Sequence, residues 1–120
     1  MIYNMIQYTS EMLKSNCDLD FISIIVKRVL SHNVLANRIL QNFKEGKKTV
    51  FDITTDNHCR GIRQDYSYHN QNELTWKFAL ETIVKELKKI FVDANIYYEN
   101  KEIFDVHDHI TIHRLINIEL

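Results

Sequence analysis

Three histidines, His107, His109 and His113, stand in the run DVHDHITIH over residues 105–113. Imidazoles and carboxylates are the usual ligands of zinc and other transition metals, and water held on such an ion becomes a nucleophile near neutral pH. In an extended chain Asp105, His107, His109, Thr111 and His113 share one face, and Val106, Ile110, Ile112, Ile116 and Ile118 share the other. Next-but-one residues then lie about 6.6 Å apart, so His107 and His109 can grip one ion, whereas His113 falls about 13 Å beyond His109. The expected metal set is therefore His107 and His109 with Asp105, or with a ligand from elsewhere such as His58, Cys59 or His69. The plainer reading is solvent-facing polar residues on an amphipathic strand, or a turn at His107 and Asp108. It is favoured because His-x-His is short and the paired cysteine spacing of structural zinc sites is missing.

A second cluster of reactive side chains lies between residues 56 and 72, with Asp56, His58, Cys59, Arg60, Arg63, Asp65, Tyr66, Tyr68 and His69. Cys59 could act as a nucleophile only with a base in hydrogen-bond reach, and spacing does not choose among His69, His107 and His109. Arg60, Arg63, Tyr66 and Tyr68, with Lys44, Lys47 and Lys48, mix cations with stacking faces, the ingredients of single-stranded nucleic-acid binding. Asp52, Asp56 and Asp65 dilute that charge. The segment is read as a long polar loop. The plainer reading is a surface loop whose Asp and Asn residues form turns and whose tyrosines pack on the domain; the functional one is contact with a partner or a nucleic acid through Arg60, Arg63, Tyr66, Tyr68 and His69, since such loops often carry function.

Other chemistries are excluded more firmly. No Gly-rich phosphate loop, Cys-x-x-Cys pair, His-Glu-x-x-His helix or Gly-x-Ser-x-Gly turn is present. Two glycines in 120 residues leave little backbone without Cβ for cradling a nucleotide. The expectation is a chain with no resident cofactor, zinc or another transition metal being the exception, and no assignable catalytic residue.

These side chains need elements to hold them. Residues 2–14 place Ile2, Met5, Ile6, Thr9, Met12 and Leu13 at helical spacing, and Asn16 or Asp18 can cap a second helix from about Leu19, giving a helical hairpin. That helix is apolar on most sides to Leu30, breaks or restarts at Ser31–Asn33, and stops at Gly46. Thr49–Thr55 alternates as a half-buried strand with Phe51 and Ile53 on one face. Residues 73–93 carry Trp76, Leu80, Ile83, Leu87, Ile90 and Phe91 opposite Lys77, Glu81, Lys85 and Lys88, a long amphipathic helix capped by Asn72. Asn95–Glu99 reads as a strand, Asn100 and Lys101 as a tight turn, Glu102–Val106 as its partner and residues 110–118 as a last strand. The fold class is α+β: an N-terminal helical hairpin and a small, mostly antiparallel sheet of three or four strands packed against one long amphipathic helix.

Composition sets the outer bounds. The 120 residues are 45% hydrophobic and 26% charged, which suits one folded domain over 1–120. A net charge of −1 gives no global field for nucleic acid or an anionic membrane. Two cysteines make no disulfide framework, and the N-terminus lacks the pattern of a secretory signal. A cytoplasmic protein, or one inside a host cell, is expected, and the wealth of Ile, Asn and Lys fits a viral or parasite genome. By elimination the leading function is a non-enzymatic interaction protein: an inhibitor, accessory subunit or factor bound to a larger protein or ribonucleoprotein assembly. It should expose an apolar or aromatic patch, sought first around Tyr66, Tyr68, Tyr97 or Tyr98. The alternatives are a small metal-dependent hydrolase or nuclease using the His-x-His strand, and a single-stranded nucleic-acid-binding protein.

Overall fold

The computed structural model describes residues 7–56, 59 and 71–120. Helix α1 spans Ser10–Lys14, α2 Leu19–Leu30, α3 Asn33–Lys44 and α4 Glu73–Ile90; strand β1 spans Thr49–Asp52, β2 Asn95–Phe104 and β3 Ile110–Glu119. The sheet is antiparallel in the order β1-β3-β2. An α+β fold with the long helix packed on the sheet is therefore what the chain forms.

Each helix start has a side chain on its free N–H groups. Thr9 accepts from Met12, Asp18 from Phe21 and Asn72 from Thr75, while at α3 the cap is the imidazole of His32, whose Nδ1 accepts from the Leu35 N–H. Ser31 and His32 thus break the apolar run into two helices. Gly46 takes φ +68° just past α3, where a Cβ would be strained. Of the helix expected over residues 2–14, only Ser10–Lys14 is helical within the described stretch; 7–9 are not, because Thr9 is already the cap.

The core lies between the helices and one face of the sheet. Phe21, Ile22, Ile25, Val26 and Val29 of α2 meet Trp76, Ala79, Leu80, Ile83 and Leu87 of α4, over Phe51, Ile96, Ile116 and Ile118 of the sheet and Ile53 just past β1. Phe21 meets Trp76 edge to face with centroids 5.1 Å apart. Helix α4 ends at Ile90 rather than 93, and Ile90 is exposed.

Two expectations about the strands are corrected. Asn100 and Lys101 are not a turn: β2 runs unbroken from Asn95 to Phe104 and pairs with β3 from Asn95↔Glu119 to Phe104↔Ile110. The reversal comes at 105–109, which is therefore not extended, and the shared face drawn for Asp105, His107 and His109 does not exist. A two-residue hairpin turn favours residues tolerant of positive φ, which Lys101 is not; the 105–109 segment supplies them. Asp105 bonds through its backbone N–H to the His109 carbonyl and accepts at its own carbonyl from Asp108, which then sits at φ 59°. This is a three-residue loop, a type I turn followed by one left-handed residue.

Candidate functional site

The reversal at 105–109 lengthens the two-stranded part of the sheet. Strand β1 covers only Leu115–Ile118 of β3, so among the described residues 101–104 and 110–113 pair with each other alone. Every residue from Glu99 to Ile110 is exposed. Among them Ile103, Phe104 (62% exposed), Val106 (94%) and Ile110 gather at the tip of this ribbon. Ile110 and Ile112 share parity with the core residues Ile116 and Ile118, but the ribbon carries Ile110 into solvent and leaves Ile112 half-buried. A second exposed apolar group, Val92 and Leu120 with Phe43, lies at the opposite end of β2 and lines a hollow of about 320 Å³ together with Phe91 and Ala94.

The expected metal residues do meet at the tip, in another role. Asp105 Oδ1 accepts from the backbone N–H groups of His107 (2.8 Å) and His109 (2.9 Å), and its Oδ2 stands 3.4 Å from His109 Nδ1. The carboxylate is thus the organiser of the turn. The two imidazoles lie 6.1 Å apart between ring centroids, and among the described residues no three His, Cys, Asp or Glu side chains converge as a metal would need. His113 belongs elsewhere: on β3 its Nδ1 lies 2.6 Å from Asp52 Oδ2 of β1.

Cys59 is fully buried beside Asp56. Burial, reinforced by the Asp56 carboxylate, pushes its thiol well above the ordinary range, so it stays protonated and unsuited to nucleophilic attack. Burial would raise Asp56 too, but the backbone N–H of Cys59 and the His32 ring outweigh it and hold the carboxyl below its usual value. His32 Nε2 lies 3.0 Å from Asp56 Oδ2 while its Nδ1 caps α3, so this buried histidine joins a helix start to the segment after β1. Arg60, Arg63, Tyr66, Tyr68, His69 and His58 lie outside the described residues. Of the lysines named with them, Lys47 pairs with Glu45 at 3.5 Å, and Lys48 lies 3.9 Å from Glu119 and over the Tyr97 ring at 5.9 Å.

Sequence reasoning also passed over Arg114, which sits at an even, core-facing position of β3 and is 5% exposed. Its guanidinium forks onto Glu73 at 2.9 and 2.7 Å and lies 5.1 Å over the Trp76 ring, at the wall of a hollow of about 240 Å³. Parity was the signal that could have found it, since a cation on the apolar face of a strand demands a partner. These groups bind each other rather than converge on one reacting point. Compared with family models, curated proteins and solved structures, the chain matches none of them. No described helix is long and apolar enough to cross a membrane.

Proposed function

We propose that this chain is a non-enzymatic interaction protein that docks through the β2–β3 ribbon. One observation carries the reading: Phe104 and Ile110, paired on one face, Ile103 on the other and Val106 in the turn are apolar side chains at the tip of a two-stranded projection whose residues are exposed from Glu99 to Ile110. A two-stranded ribbon is marginal alone, and apolar side chains kept at its tip add nothing to a core they do not touch. Covering them is worth about 25 cal/mol for each Å² removed from water, which makes them useful to an interface. Free edge hydrogen-bonding groups along β2 add a second attachment mode, strand addition. The free thiols Cys17 and Cys59 fit a reducing compartment inside a cell. The inhibitor, accessory-subunit and assembly-factor readings all use such a surface.

The test is a photo-crosslinking residue placed at Val106 in cells that make the protein, with Val34, an exposed apolar residue of α3, as control. A discrete protein adduct from position 106 and none from position 34 is expected. No adduct at 106, or equal adducts at both, defeats the reading.

A further inference from the structure

We infer that the occupant of this surface is a second copy of the same chain, paired antiparallel along β2 about a two-fold axis at Asn100 to make one six-stranded sheet; the inference rests on the docking role proposed above. Among the described residues strand β2 has a partner only on its β3 side. A two-fold axis that pairs a strand antiparallel with its own copy must stand perpendicular to the sheet. Odd positions then meet odd positions, even meet even, and both sets of helices stay on one side.

Charge selects among the registers this symmetry allows. Centred on Asn100, the pairing sets Glu99 against the second copy's Lys101, twice by symmetry, and Tyr97 against its Ile103. Centred on Glu99 or on Lys101, it brings like charges together, which is unfavourable for directly opposed residues. The register also matches the two halves of β2. Ile96 is buried under helix and faces the second copy's Phe104, which has no helix behind it. Ile96 and Phe104 bound the stretch this register pairs, since Ala94 precedes the strand and Val106 lies in the turn beyond it. Phe104 at the tip of each copy is thereby set beside the helix-covered Ile96 of the other.

Sedimentation equilibrium of the purified full chain across a wide concentration range provides the test, with Lys101→Glu, Glu99→Lys and their equimolar mixture. The wild type should self-associate to dimers. Each variant alone should associate at least about tenfold more weakly, and the mixture should regain the loss because opposite charges return at both crossing points. Glu99 also accepts from Asn117 Nδ2 at 3.1 Å, so Lys101→Glu, on an exposed side chain, is the cleaner probe. Amide exchange needs no variant: the outward-facing N–H groups of Asn95–Phe104 should become protected as wild-type concentration rises. A strictly monomeric wild type, a dimer indifferent to both substitutions, a mixture no better than its components, or an unprotected β2 each overturns the pairing. The crosslink at position 106 separates this failure from that of the docking role: an adduct of twice the chain's mass supports the second copy, an adduct with a different protein overturns it while upholding the docking role, and no adduct overturns both.

Discussion

Strands β2 and β3 run through two regions that obey different rules. In the base, Ile96, Ile116 and Ile118 are pressed under the helices, and three polar side chains that enter are tied to partners: His32 to Asp56, Arg114 to Glu73, His113 to Asp52. In the ribbon the same strands and their turn carry Ile103, Phe104, Val106 and Ile110 exposed, and the polar residues Asp105, His107 and His109 serve the turn. Apolar residues at matching parity thus do opposite jobs according to whether a helix lies behind them. The base spends its side chains on stability, and under the docking role proposed above the ribbon keeps its own for contact.

The largest expected effect breaks the base. Ile83→Ala empties a fully buried site between α4 and its neighbours and should cost about 2–5 kcal/mol in urea unfolding, from lost transfer energy plus the cavity left behind. A loss near zero would mean that the helical layer is not the core.

A smaller effect probes the ties of the base. Hydrogen bonding from Arg114 holds the Glu73 carboxyl below its ordinary value of 4.5, against a modest opposing push from burial. Its folded pKa is thus depressed, so the unfolded chain takes up the proton first as acid is added. The contribution is complete above about pH 5 and is lost as pH falls through 4.5 and below. Asp56, also depressed, acts in the same direction from its ordinary 3.8 downward. Because the Glu73 side chain is 66% exposed, solvent screening limits Glu73→Gln to about 1 kcal/mol at neutral pH. The variant should lose stability less steeply below pH 5 than the wild type, as followed by circular dichroism. An unchanged acid slope would remove Glu73 from the account.

Much of this division could be read from the residues, within a limit set by geometry. The α4 stripe, the Asp18 and Asn72 caps, the break at Ser31–His32 and the stop at Gly46 are local, and local chemistry decided them. The ribbon was obscured because Asn100–Lys101 resembles a turn by composition, while the true reversal is set by Asp105 and Asp108, residues first weighed as a metal ligand and as part of an alternative turn. His113–Asp52 and Arg114–Glu73 join residues 61 and 41 positions apart, so they exist only once β3 has found its register against β1 and its place beneath α4. An exposed apolar patch was expected around Tyr66, Tyr68, Tyr97 or Tyr98, of which Tyr66 and Tyr68 lie outside the described residues. Tyr98 packs on the core, Tyr97 is exposed beside Lys48, and further exposed apolar side chains stand where helix cover runs out.

The claim that base and ribbon divide stability from contact is tested most directly in one variant, Phe104→Ser combined with Val106→Ser, by measuring urea unfolding of the purified chain and sedimentation equilibrium on the same sample. Unfolding measured where the chain is monomeric should shift by no more than about 0.5 kcal/mol, because neither side chain is buried, while self-association falls sharply. An unfolding loss of several kcal/mol, or association equal to that of the wild type, would contradict the account.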